Sequence, residues 1–222
     1  MFDSAAARRM MVDGQVRTAD VTNPDLIGAM LDVPRELFVP SALAGRAYLD
    51  SDLVIAQDGT AERVLLKPMV LAKLIQAALL SASDHVLDVG CGTGYSSAIL
   101  SRLAGAVVAL EEDASLAKLA RQALSAAAGA AQVVVATGPL TAGWPAAAPY
   151  DFILLNGATE VTPESYAGQL KPNGRLACIF AAGPVGKAML YRLVEGRLVG
   201  RPIFDAAASI LPGFAAPPAF VF

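Results

Sequence analysis

The chain has 222 residues, of which 55% are hydrophobic and 17% charged, with 17 basic and 20 acidic side chains and a net charge of −3. That balance excludes an intrinsically disordered chain, which needs low hydrophobicity and high charge, and the length suffices to bury a core without disulfide staples. The mean hydropathy is +0.51, yet the best apolar run, Met69 to Leu80, is broken by Lys73 and Gln76 and falls short of the roughly 20 residues that span a bilayer.

In chain order, residues 5–18 predict a helix. A second follows over 24–33, with Asn23 as N-cap and Pro24 at the first helical position. Val33 to Pro40 reads as a proline-bounded loop, and residues 41–66 show no strong periodicity. Pro68 opens a helix that ends near Ser81. An alternation then begins: strand at His85–Gly90, helix at Tyr95–Leu103, strand at Ala106–Glu111, helix at Asp113–Ala127 and strand at Gln132–Thr137. Tyr150–Asn156 reads as a further strand, Pro163–Leu170 as a short helix, and Lys171–Ala181 as a turn and strand. The last element is an antiparallel hairpin around Glu195-Gly196. Such β-α-β-α alternation predicts an α/β fold with a doubly wound, mostly parallel sheet, and the hairpin supplies an antiparallel edge. Residues 1–66 form an N-terminal helical and loop extension, and 67–222 the nucleotide-binding-type domain, the two being expected as one compact unit.

The most informative segment is Val86-Leu-Asp-Val-Gly-Cys-Gly-Thr-Gly-Tyr95. Glycines at 90, 92 and 94 lie between a predicted strand and a predicted helix, the context a ligand-cradling turn requires. The dinucleotide fingerprint G-x-G-x-x-G/A is broken by Tyr95. Asp88 sits poorly beside a pyrophosphate and suits a cationic ligand. S-adenosylmethionine carries an ammonium and a sulfonium and no phosphate. Glu111 ends the next strand about 20 residues beyond Gly90, where doubly wound folds bind a ribose. Cofactor binding is therefore expected at Asp88, Gly90, Cys91, Gly92, Gly94, Tyr95 and Glu111. A nicotinamide enzyme and a bare structural turn are the competing readings.

These residues resemble the protein-L-isoaspartate O-methyltransferase family, within the class I S-adenosylmethionine-dependent methyltransferases. Val86–Leu100 is similar to its cofactor motif. Met11–Arg17, Ala29–Pro40 and Ala47–Ile55 resemble its N-terminal signature, and Gly143–Ala158 and Gln169–Leu176 its later motifs. The resemblance implies methyl transfer from S-adenosyl-L-methionine to an isoaspartyl carboxylate of a damaged protein or peptide. A carboxylate, with a pKa near ~4, is already nucleophilic at neutral pH, so no general base is expected. The task is alignment of the reacting groups. The resemblance also sets Pro139, Leu140 and Asn156 beside the cofactor.

Two departures from the family pattern stand out. The family's loop G-x-G-Q-T-x-S-Q-P ends at a proline matched by Pro68. Here Arg63 stands at a glutamine, Val64 at the hydroxyl-bearing threonine or serine and Leu66 at the serine, followed by Lys67. Thr60 offers a hydroxyl at an unassigned spacing. The family's G-D-G, whose acid contacts adenine, is Gly138-Pro-Leu140. These losses raise two alternatives: a diverged paralogue with another carboxylate substrate, drawn by Arg63 and Lys67, or a non-catalytic protein that keeps the cofactor fold.

The remaining features point to a plain soluble protein. Cys91 and Cys178 have no metal-ligand spacing, and His85 is expected as a strand-entry residue. No basic tract suggests nucleic acid, and no membrane or metal is expected. The charged N-terminal segment lacks a signal-peptide pattern, so the cytoplasm is the expected compartment. Phe204–Phe222 has no charge after Asp205. It is expected to pack on its own domain with Ala219–Phe222 as a last strand, or else to form a homodimer contact.

Overall fold

The computed structural model describes residues 3–58, 61–130, 132–183 and 185–217. The proposed last strand, Ala219–Phe222, and Thr60 therefore lie outside the described residues. Helix α1 spans Ser4–Met11, its first turn capped by Asp3, and runs on through a wider π turn at Val12–Val16. Helix α2, Pro24–Asp32, is capped as expected: the Asn23 side chain accepts from Leu26 N at 2.9 Å. Residues 41–66 hold an element that periodicity does not disclose. Strands β1 (Leu53–Asp58) and β2 (Ala61–Leu65) form an antiparallel hairpin that, among the described residues, pairs only with itself. Its register shifts between Val54 and Ala56, which breaks the alternation a half-buried strand would show.

Helix α3, Pro68–Ala78, leads into the main sheet. The strands are β3 (His85–Val89), β4 (Ala106–Glu111), β5 (Val134–Thr137), β6 (Tyr150–Thr159), β7 (Leu170–Phe180), β8 (Lys187–Val194) and β9 (Arg197–Asp205). They lie in the order β5-β4-β3-β6-β7-β8-β9. The first five are parallel, while β8 and β9 are antiparallel additions at one edge. This is the expected doubly wound order with an edge hairpin. Helix α4 (Tyr95–Leu100) follows β3, and α5 (Ala114–Ala126) follows β4, with Asp113 Oδ1 capping Ser115 N and Leu116 N.

The central strands bury both faces, as parallel strands must. Val86, Val107, Ala109, Phe152 and Leu154 point to one side, and Leu87, Val89, Val108, Leu110, Ile153 and Leu155 to the other. The first side is packed by α3, α4 and α5, with α1 and α2 lying against these helices, and Met11, Leu26, Leu74, Ile99 and Leu116 join one cluster. The second carries no α-helix among the described residues. Short 3-10 turns at Leu140–Ala142, Pro145–Ala147 and Glu164–Gln169 cover it, with Leu211 and Phe214. The helix expected at 163–170 is thus a single 3-10 segment.

The apolar tail does fold back on its own sheet as far as it is described. Ala158 N donates to Ser209 O at 3.0 Å and Leu211 N to Ala158 O at 2.8 Å. Glu160 N donates to Phe214 O at 2.9 Å, and the Phe214 ring stacks near Tyr166. Residues 209–216 form a strap across the carboxyl end of β6. No helix among the described residues is long and apolar enough to cross a membrane.

Candidate functional site

In open α/β sheets a ligand binds outside the carboxyl ends of the strands, where the strand order reverses. Here that point lies between β3 and β6, and the glycine loop occupies it. Gly90, Gly92 and Gly94 all have positive φ (72°, 58° and 95°), a backbone path that L side chains resist. Gly90 N and Cys91 N donate to Leu110 O, which ties the turn to β4.

Asp88, near the end of β3, is fully buried. Its Oδ2 accepts from Ser96 Oγ at 2.6 Å and Ser97 Oγ at 2.5 Å, both on α4. Its Oδ1 has no partner among the described residues. Burial pushes its pKa up to about 6. The two serine hydroxyls hold it down, and the Glu111 charge adds to the rise. Asn156 Nδ2 donates to the same Ser96 Oγ at 2.7 Å, and Asn156 Oδ1 is likewise buried and unpartnered. The serines were not legible as site residues, because only the turn of α4 brings them under Asp88.

Glu111, at the end of β4, is also fully buried. Its Oε1 accepts from Arg63 Nη1 at 2.7 Å, Glu112 N at 2.9 Å and Asp113 N at 3.2 Å. Its Oε2 accepts from Arg63 Nη2 at 2.7 Å and Gly92 N at 2.8 Å. Arg63 was expected to attract a substrate carboxylate; it is instead committed to this internal one. Val64 is half-buried beside it. Leu66 is a core residue whose carbonyl accepts from the fully buried Arg35. Lys67 N donates to Asp52 Oδ1 at 2.7 Å. The family's hydroxyl positions are therefore apolar and packed.

Cys91 is buried, and desolvation pushes its thiol well above the ordinary range, so it acts as packing. Tyr95 is buried under the Arg35 guanidinium, 4.7 Å from its ring centre, and lies edge-on to Phe38. Pro139 offers no side-chain acceptor. Leu140 is buried, and its N–H lies 3.4 Å from Glu112 Oε2, an acid that the sequence did not single out. His85 stands at the opposite, entry end of β3, against the Tyr150 ring. No cluster of metal-ligating side chains occurs among the described residues.

The donor set suits a cationic nucleoside ligand. Two buried acceptors, Asp88 Oδ1 and Asn156 Oδ1, lack a donor, and a glycine cradle adjoins a carboxylate at the ribose position. The strand order, the glycine cradle, the acid at the end of β4 and the two unpaired acceptors together fit a class I methyltransferase.

The sequence profile of the protein-L-isoaspartate(D-aspartate) O-methyltransferase family matches residues 7–194. The chain belongs to that family, whose members are S-adenosylmethionine-dependent O-methyltransferases. It is 41% identical to the protein-L-isoaspartate O-methyltransferase of Methylorubrum extorquens over 92% of this chain and 85% of that one. It is 40% identical to the one from Pelotomaculum thermopropionicum, over 82% and 75%. A solved protein-L-isoaspartate O-methyltransferase superposes with a TM-score of 0.80 at 25% identity, over 93% of this chain and 66% of that chain. A Plasmodium falciparum structure with S-adenosyl-L-homocysteine bound shares the fold at 15% identity, with a TM-score of 0.77.

Proposed function

We propose that this chain transfers a methyl group from S-adenosyl-L-methionine to a carboxylate of a protein or peptide, the isoaspartyl carboxylate first among them. The buried carboxylate of Asp88 carries the reading. With one oxygen unpaired beside the equally unpaired Asn156 Oδ1, it is an acceptor pair waiting for a cationic donor. Asp88 and Asn156 would take the ammonium end, Gly90, Cys91, Gly92, Gly94 and Tyr95 would line the path, and Glu111 would take the ribose diol. Pro139 and Leu140 would flank adenine through backbone groups, with Glu112 as the nearest acid. The bound cofactor supplies an electrophilic methyl group. The chain aligns a carboxylate that is already nucleophilic, which agrees with a site that holds no histidine among the described residues.

Val64 and Leu66 bear on rate. Neither side chain can hydrogen-bond a substrate, and a misplacement of about 1 Å can cost ~10²-fold. Slow isoaspartyl turnover is the expected outcome, with transfer to a different carboxylate as the second reading. The test is tritiated methyl transfer, at saturating cofactor, to an isoaspartyl peptide and its aspartyl twin. Label in the isoaspartyl peptide alone supports the proposal, and equal label in both favours the second reading. No label in either from folded protein overturns it. Glu111→Ala should weaken cofactor affinity at least about tenfold, since charged hydrogen bonds contribute roughly 1.5–3 kcal/mol each. Calorimetry with the cofactor reads that loss.

A further inference from the structure

The crevice over the glycine cradle is filled by the chain's own side chains, and they come from two separate elements. The β1–β2 hairpin sends Arg63 onto Glu111 and Ile55 onto the loop: a methyl group placed on Gly92 would stand 2.6 Å from Ile55 Cδ1. The strap sends down Leu211. A methyl group on Gly90 would stand 2.8 Å from Leu211 Cδ2 and 3.3 Å from Arg63 Nη2, and one on Gly157 2.8 Å from the same leucine carbon.

The hydrogen-bond capacity of Glu111 sharpens the point. A carboxylate offers about four lone-pair sites. Five N–H groups already address this one: two from Arg63 and three from the backbone of Gly92, Glu112 and Asp113. A ribose diol has no free oxygen to bond unless Arg63 leaves. The guanidinium also neutralises Glu111, whereas the ribose hydroxyls that would replace it are uncharged donors. Asp88 Oδ1 keeps no such stand-in.

We infer that Arg63 and Leu211 are a built-in plug of the cofactor crevice, and that cofactor binds only as Arg63 leaves Glu111 and Leu211 turns away from Gly90. The inference rests on the cofactor reading above. The hairpin is the part suited to move. A two-stranded ribbon is marginally stable by itself, and this one pairs with no other strand among the described residues. The strap backbone is tied to β6 on both sides of Leu211, so there the side chain rotates. A ligand that binds a minor open state has its affinity reduced by that state's population.

Calorimetry with S-adenosyl-L-homocysteine on the full chain tests the plug, with circular-dichroism melts to certify folding. The variants are Arg63→Gln, Arg63→Lys, Leu211→Ala and the Gln/Ala double. For an open state populated at ~10% or less, the unmodified protein binds weakly and the double variant gains about tenfold or more. Leu211→Ala leaves the ion pair in place and is the check if Arg63 variants unfold; it too should gain. Hydrogen exchange supplies a second readout: ligand should speed exchange of the 61–65 amides in the unmodified protein. Equal affinity across all folded proteins, with those amides unchanged, overturns the plug and leaves the cofactor reading standing. Binding by none of the folded proteins overturns both.

Discussion

Asp88 shows how a single buried carboxylate reports on its site. Its pKa is raised from 3.8 to about 6, chiefly by burial, so the folded state holds the proton more tightly than the unfolded state. The associated stability is complete below about pH 4 and is lost as pH rises to about 6. A shift of this size corresponds to ~3 kcal/mol. Asp88→Asn keeps the shape without the charge. Urea unfolding should therefore show the variant gaining on the parent by up to ~3 kcal/mol between pH 4 and 7, and a difference that stays flat with pH would contradict the assignment. A donor supplied by ligand at Oδ1 would favour the ionised form, so cofactor affinity should rise over the same range. Asp88 and Glu111 could be singled out from the sequence because Asp88 interrupts an apolar strand just before the glycine turn and Glu111 ends the next strand about 20 residues beyond Gly90. The partner of Glu111 could not: Arg63 lies 48 residues away on a hairpin that periodicity concealed.

At the scale of elements, strands β3, β4 and β6 were legible because burial on both faces writes a continuous apolar run. The boundaries of β4 fall where the pattern ends, at Ala106 and Glu111. β1 and β2 were not legible, since the bulge after Val54 spoils the alternation. The β8–β9 hairpin was read from Glu195-Gly196, and both residues adopt left-handed backbone angles, φ 50° and 78°. A two-residue hairpin turn favours such angles, and Asn-Gly satisfies them better than Glu-Gly. Glu195→Asn should raise the urea midpoint by the equivalent of ~0.5–1 kcal/mol. No change, or a fall, would mean that Glu195 has another role in the turn.

The whole molecule is asymmetric about its sheet. Among the described residues the α-helices all lie on one side, α3, α4 and α5 against the sheet, while 3-10 turns and the strap cover the other face. The thin face depends on few large side chains, so each carries more of the burial. Phe214 is 2% exposed and stacks near Tyr166. Phe214→Ala should cost ~3–5 kcal/mol, the range for losing a buried aromatic ring, read as a lowered denaturant midpoint at unchanged slope. A loss under ~1 kcal/mol would show that the strap contributes little to the core. The apolar character of this segment was legible, but its address was not, because nothing local says which strand end it will cross.

The position of Leu211 along the chain has a consequence for biosynthesis. Every strand of the sheet among the described residues precedes it, and so do the glycine cradle and both acids. Domains assemble from the N-terminal side as they leave the ribosome. A nascent chain that has emerged only through β9 therefore possesses the crevice without its leucine cover. At that stage the crevice lacks its leucine cover, and Arg63 on Glu111 is the one part of the plug in place.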